Sequence, residues 1–307
     1  MKPKVLLAGG TGYIGKYLSE VIENDAELFT ISKYPDNKKT DDVEMTWIQC
    51  DIFHYEQVVA AMNQIDIAVF FIDPTKNSAK ITQSSARDLT LIAADNFGRA
   101  AAINQVKKVI YIPGSRYDNE TIERLGVYGT PVETTNLVFK RSLVNVELQV
   151  SKYDDVRSTM KVVLPKGWTL KNVVNHFIAW MGYTKGTFVK TEKSHDQFKI
   201  YIKNKVRPLA VFKIEETADG IITLILLSGS LVKKYTVNQG ELEFRLIKES
   251  AVVYIHLYDY IPRLFWPIYY FIQAPMQKMM IHGFEVDCRI KDFQSRLKSG
   301  ENMKYTK

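Results

Sequence analysis

Lys4-Val5-Leu6-Leu7-Ala8-Gly9-Gly10-Thr11-Gly12-Tyr13-Ile14-Gly15 is the stretch that decides the fold. Its first residues form a short apolar run that stops at glycines, the pattern of a parallel strand buried on both faces. Behind the glycines, Lys16-Tyr17-Leu18-Ser19-Glu20-Val21-Ile22 has helical spacing. The alternation then repeats. Glu27-Leu28-Phe29-Thr30-Ile31 reads as a second strand, closed by Tyr34-Pro35-Asp36-Asn37, and residues 45–50 as a third, with a helix over 56–63. Residues 66–72 make a fourth strand, and the alanine-rich stretch 88–105 a helix. Residues 108–112 make a fifth strand, before Pro113-Gly114. Strand and helix in strict alternation imply βαβ units and a doubly wound parallel sheet of Rossmann type, class α/β.

After about residue 130 the period changes. Residues 145–150, 198–202 and 209–214 alternate with period two, and Thr217-Ala218-Asp219-Gly220 and Asn238-Gln239-Gly240 read as hairpin tips. Residues 241–246 and 251–255 continue the antiparallel pattern. One helix interrupts it, with Thr169 as N-cap and Leu170, Val173, Val174, Phe177 and Ile178 on one face. The expected organisation is a Rossmann domain over 1–130, an α+β domain with an antiparallel sheet over 131–300, and a tail at 301–307. The chain is expected to leave the parallel sheet after its fifth strand.

Composition narrows the class. The chain has 307 residues, 46% hydrophobic and 24% charged, as a soluble globular protein does. The apolar run after Met1-Lys2-Pro3-Lys4 is too short for a secretory signal, and the two cysteines, Cys50 and Cys288, are too few for a disulfide framework. A cytoplasmic protein is expected. The formal charge is +7, but the 41 basic residues are scattered without a dense stripe, which reads as a solvated surface and not as a nucleic-acid site. The five histidines have no ligand spacing, so no metal is expected.

The glycine turn carries the chemistry. A pyrophosphate needs backbone N–H groups aimed at it, a helix N-terminus behind them, and no side chain in the way. Gly10-x-Gly12-x-x-Gly15 and Gly9-x-x-Gly12-x-x-Gly15 meet that need together, after a strand and before a helix. The expected ligand is a dinucleotide, held by Gly9, Thr11, Gly12, Tyr13, Ile14 and Gly15. At the end of the second strand, NAD-specific domains carry an acid for the ribose 2′-OH. Here Ser32-Lys33 stands there, with Lys38 and Lys39 nearby and Asp36 beyond Pro35. A hydroxyl and an ammonium suit a 2′-phosphate, so NADP(H) is expected over NAD.

Ala8-Gly9-Gly10-Thr11-Gly12-Tyr13-Ile14-Gly15, Cys50-Asp51-Ile52 and Val106-Lys107-Lys108-Val109-Ile110-Tyr111-Ile112-Pro113-Gly114-Ser115 resemble the atypical short-chain dehydrogenase/reductases, a group that includes NmrA-like proteins. The resemblance covers roughly residues 3–117. It implies that Asp51 and Ile52 lie against the adenine and Gly114 and Ser115 against the nicotinamide end. Asp155-Val156-Arg157-Ser158, Pro165-Lys166-Gly167-Trp168 and Pro262-Arg263-Leu264-Phe265-Trp266-Pro267-Ile268-Tyr269 resemble a C-terminal domain of unknown function fused to some of these proteins. That likeness implies no reaction.

Catalytic short-chain enzymes pair a Ser with a Tyr and a Lys four residues on, the lysine lowering the tyrosine pKa. Ser115 stands at the serine position, but Tyr117 is followed by Thr121 and Tyr128 by Val132. Tyr34 to Lys38 and Tyr201 to Lys205 match the spacing in the wrong places. Ser115, Tyr117 and Tyr128 are the local candidates for any proton donor. The expected function is an NADP-dependent oxidoreductase acting on a small apolar or quinone-like acceptor, and the alternative is a non-catalytic, NmrA-like regulator that senses the dinucleotide. A last segment, 261–284, is rich in aromatic residues. Its charge-free run, Leu264 to Gln277, is shorter than the about 20 residues a membrane span needs. It reads as core of the second domain, or as a peripheral membrane or apolar-ligand contact flanked by Arg263 and Lys278.

Overall fold

The computed structural model describes residues 2–9, 12–35, 44–73, 79–139, 149–150, 155–183, 189–230, 233 and 239–301. Two compact units divide the chain: Met1–Ser78 with Ser85–Val146, and Ala79–Ser84 with Glu147–Lys307.

In the first unit the elements run β1 (Lys4–Ala8), α1 (Tyr13–Ile22), β2 (Glu27–Ser32), β3 (Met45–Gln49), α2 (Tyr55–Ala61) and β4 (Ile67–Phe70). After β5 (Ile81–Gln83), which pairs in the other sheet, come α3 (Ala86–Ile103), β6 (Lys108–Tyr111), α4 (Asp118–Gly126) and β7 (Val132–Thr134). The sheet order is β3-β2-β1-β4-β6-β7, every pair parallel. Counted by strand within this sheet, that is the doubly wound order, with the switch point between β1 and β4. One expectation is corrected. The chain does not leave the sheet after five strands, because Val132–Thr134 pairs with β6 as a sixth. Three residues are too few to show a period in the sequence.

One face of this sheet packs Val5, Leu7, Leu28, Val69 and Ile112 against Ile14, Leu18 and Ile22 of α1. The alanine-rich α3 is buried without a break from Leu89 to Ala101, which explains its composition: small side chains let neighbours approach. At Gly98 a Cβ would lie 2.6 Å from the Leu125 carbonyl oxygen of α4. Ser85 caps α3, its Oγ accepting the Asp88 N–H at 3.0 Å.

The second unit holds a nine-stranded sheet with the order β10-β11-β12-β13-β14-β15-β9-β5-β8. Its strands are β8 (Gln149–Val150), β9 (Val156–Val163), β10 (Val189–Ser194), β11 (Gln197–Ile202), β12 (Pro208–Ala218), β13 (Ile221–Ser228), β14 (Glu241–Leu246) and β15 (Val252–Tyr260), with β5. All described pairs are antiparallel except β5 with β9, so the sheet is mixed at that edge. The Asp219-Gly220 tip joins β12 to β13 with Gly220 at φ +72°. Of the expected strand over 145–150 only Gln149–Val150 is described; Asn238 also lies outside the described residues.

Two helices cover one face of this sheet. Thr169 caps α5 (Leu170–Tyr183), its Oγ1 accepting the Asn172 N–H at 3.3 Å. The long α7 (Ala274–Lys298) follows the short helix α6 (Trp266–Ile268) and a π-helical turn, Tyr269–Gln273. Phe177 of α5 sits edge-on to Phe244 of the sheet and to Phe284 of α7, at 5.1 Å in both cases. The opposite face is polar and nevertheless buried. Register places Thr223, Glu243, His256 and Thr159 in one row across β13, β14, β15 and β9. All four are buried, and Arg245 binds Glu243 with two hydrogen bonds of 2.8 and 2.9 Å. Burial foremost, then the carboxylates of Glu243 and Glu241, push the Tyr258 phenol well above its ordinary pKa.

Candidate functional site

Because all six strands of the first sheet are parallel, their carboxyl ends share one edge, and ligands of such sheets bind outside that edge at the switch point. The sequence candidates that are described collect there: Gly9 after β1, Ser32 and Lys33 at the end of β2, Asp51 and Ile52 after β3, and Gly114 and Ser115 after β6.

The turn after β1 is tight. The Gly9 carbonyl accepts the Gly12 N–H at 3.1 Å, and Gly9 itself has φ +120°, open only to glycine at low cost. Gly12 is the N-cap of α1, extended at φ −91° and ψ 173°, and it offers no side-chain cap. No acid stands in the first turn of α1. The first N–H groups of the helix thus face the end of the sheet with the positive end of the helix dipole and no protein carboxylate competing within that turn. Such an uncapped helix start fits a pyrophosphate. Tyr13 is exposed, Ile14 packs on the β1 and β2 core, and Gly15 is buried in the helix. Thr11, with Gly10, lies outside the described residues, as do Asp36, Lys38 and Lys39.

The carboxyl ends of β2 and β3 hold a pair that the sequence did not suggest. Lys33 Nζ lies 3.1 Å from Asp51 Oδ2, with the two side chains only 11% and 6% exposed. The other carboxylate oxygen of Asp51 accepts the Phe53 N–H at 3.1 Å, and the Asp51 N–H donates to Gln57 Oε1 at 2.8 Å. The Ser32 Oγ accepts the Tyr34 N–H at 3.3 Å. Ile52 is buried, and its carbonyl accepts from the Asn96 amide at 2.9 Å. Ser32, Lys33, Asp51 and Ile52 are therefore held in place by the protein itself.

At the β6 end the decisive residue is Asp118, which the sequence reading missed. Its carboxylate accepts the Gly114 N–H at 3.0 Å, the Ser115 N–H at 2.9 Å and the Tyr111 hydroxyl at 2.5 Å. The signal available was an acid in the first turn of a helix that begins just after a Gly-Ser turn. Ser115 Oγ accepts the Tyr117 N–H at 3.1 Å. The Tyr128 hydroxyl donates to the buried Asp95 at 2.7 Å, and Arg99 bonds the other oxygen of that carboxylate at 2.9 Å. The Arg99 guanidinium also lies over the Tyr128 ring, 4.7 Å from its centre. Phe139 was missed too. Its N–H donates to the Pro113 carbonyl at 3.0 Å, and its ring joins the cluster of Ile14, Phe71 and Ile112. Among the described residues no group of His, Cys, Asp and Glu could hold a metal ion.

Comparison with known proteins places this geometry. Residues 5–118 match the NAD dependent epimerase/dehydratase family. Among solved structures the chain is similar to a nucleoside-diphosphate-sugar epimerase from Staphylococcus aureus, at 18% identity over 43% of this chain and 49% of that one, with a TM-score of 0.35. It is similar to Pen from Bacillus thuringiensis at 19% identity over 57% and 56% of the two chains, TM-score 0.35. It is similar to WbmG from Bordetella bronchiseptica, solved in complex with NAD, at 15% identity over 44% and 52%, TM-score 0.34. The chain spans about half the length of these three solved structures. It is 99% identical, over 307 residues and the whole of both chains, to the auxiliary protein GraX of Staphylococcus aureus strain NCTC 8325 / PS 47. The chain belongs to the family of the auxiliary protein GraX, with a Rossmann NAD(P)-binding domain of the epimerase/dehydratase type over residues 5–118.

Proposed function

We propose that the chain binds NADP(H) and acts as a non-catalytic, NmrA-like regulator responsive to the dinucleotide. The pyrophosphate is assigned to Gly9, Thr11, Gly12, Tyr13, Ile14 and Gly15, the adenosine side to Ser32, Lys33, Asp51 and Ile52, and the far end to Gly114 and Ser115. One observation carries the non-catalytic reading. The N–H groups of Gly114 and Ser115 and the Tyr111 hydroxyl are spent on Asp118, and the Tyr128 hydroxyl on Asp95. Donors already bonded to a protein carboxylate cannot stabilise charge developing on a substrate without first giving up that bond. The name of the 99% identical relative, an auxiliary protein, agrees with a role exerted through other molecules. A peripheral membrane contact through residues 261–284 belongs to the same reading.

Calorimetric titration tests the ligand. NADPH binds more tightly than NADH, and Lys33→Ala narrows the ratio by about tenfold, the worth of one charge-assisted contact. The ratio is the readout because Lys33→Ala also takes a counter-charge from Asp51 and lowers the stability of the protein. If NADH proves the better ligand, the assignment of the ribose corner is wrong.

Turnover tests the role. General acid–base assistance is worth about 10²–10⁴-fold, so a protein without a Tyr-x-x-x-Lys relay shows negligible NADPH oxidation with carbonyl substrates. Steady oxidation with a small apolar quinone, lost in Ser115→Ala or Tyr117→Phe, would instead establish the oxidoreductase.

A further inference from the structure

We propose that the exposed apolar stripe from Phe265 to Met279 is a docking surface for an anionic lipid bilayer. It rests on the peripheral-contact part of the reading above and is independent of the dinucleotide part.

The helical run formed by α6, the π-helical turn and α7 has two apolar faces. Its inward face sends Tyr269, Ala274, Ile281 and Phe284 into the core clusters of the second unit. Its outward face presents Ile268, Phe271, Ile272, Met276 and Met279, and Phe265 precedes it as the N-cap of α6; Phe265 is 71%, Phe271 74% and Met279 71% exposed. The steps along this row are those of one helix face, with Phe271 and Ile272 together on the π-helical turn. A helix on the surface of a water-soluble domain is ordinarily polar on its outward side. Scattered apolar residues need no explanation, but a continuous row of them marks an interaction site.

Charge selects the partner. No Asp or Glu occurs between Asp259 and Glu285, whereas exposed Arg263 precedes the row and exposed Lys278 lies near its far end. The Lys80 ammonium sits over the Trp266 ring, 5.8 Å from its centre, at the same end as Arg263. Aromatic and aliphatic side chains in a segment whose only charged residues are Arg263 and Lys278 match the interface of a bilayer rich in acidic lipid. There the rings enter the acyl boundary while Lys and Arg keep their charges among the headgroups. No helix of the described residues is long and apolar enough to cross a membrane, so the contact lies in the plane of the surface.

The full chain is sedimented with vesicles of phosphatidylcholine alone and of phosphatidylcholine mixed with phosphatidylglycerol. It pellets with the mixed vesicles only, and high salt releases it. Phe265→Ser with Phe271→Ser weakens partitioning at least about tenfold, and Arg263→Glu with Lys278→Glu removes the preference for phosphatidylglycerol. These positions are exposed, so melting curves and NADPH affinity stay at wild-type values. The proposal is overturned if the wild type pellets with neither vesicle, or if the phenylalanine double variant pellets as the wild type does. It is also overturned if sedimentation velocity shows a dimer that this variant abolishes while the wild type ignores vesicles, since the stripe then serves a second copy of the chain. Loss of NADPH binding in the wild type would defeat the dinucleotide reading and leave this one standing.

Discussion

Gly12→Val is expected to weaken dinucleotide binding by about a hundredfold or more while the protein stays folded. The backbone at Gly12 is extended, φ −91° and ψ 173°, a conformation that valine adopts without strain. The substitution therefore acts on the ligand and not on the turn. Its two methyl groups would stand at the start of α1, where the pyrophosphate must approach the helix N–H groups. Gly15→Val is the poorer probe, because Gly15 is buried within α1 and an added side chain there pushes the helix from the sheet. Calorimetry with NADPH, beside circular dichroism to confirm the fold, decides it. Unchanged affinity in a folded Gly12→Val protein would falsify the assignment of this turn.

Gly114→Ala carries the largest expected effect on stability, about 3 kcal/mol or more. Gly114 has φ +139°, and a Cβ built on it would lie 1.5 Å from the Phe139 carbonyl oxygen and 2.5 Å from its carbonyl carbon. These are backbone atoms, so no rotamer change relieves the clash. The segment at Phe139 must lift, giving up its hydrogen bond to Pro113 and its place beside Phe71 and Ile112. Gly129→Ala is the control. Gly129 also has positive φ, +100°, but nothing lies within 4 Å of an added Cβ, so only backbone strain of about 1–2 kcal/mol is expected. Urea unfolding of the two variants separates the causes. Equal losses would mean that Phe139 does not pack over Gly114.

The polar row of the second sheet shows where reading by period reaches its limit. Glu241, Glu243 and Arg245 alternate with Leu242, Phe244 and Leu246, and alternation ordinarily reads as one face in and one out. Both faces prove buried at β14, and the charged one is held by an ion pair within the strand. Period reports which residues share a face. It does not report whether that face meets water. The long α7 escaped notice for a related reason. With apolar residues inside and outside, and Gly283 in its middle, it has no single stripe and no side-chain N-cap, although Gly300 at φ +77° closes its C-terminal end.

By itself the sequence determined the strand–turn–helix start, the strand–helix alternation, the change of period after 130, and that neither Tyr117 nor Tyr128, the tyrosines next after the fifth strand, has a lysine four residues on. These are local properties: glycine at a turn, apolar spacing along an element, a motif counted in residues. The tertiary structure alone decided the sixth parallel strand, the Lys33–Asp51 pair, the capture of the Gly114 and Ser115 N–H groups by Asp118, and which side of 261–284 faces outward. Strand pairing, a carboxylate's choice among several donors and the direction a helix faces depend on what the fold brings within a few ångströms. Spacing along the chain does not encode that.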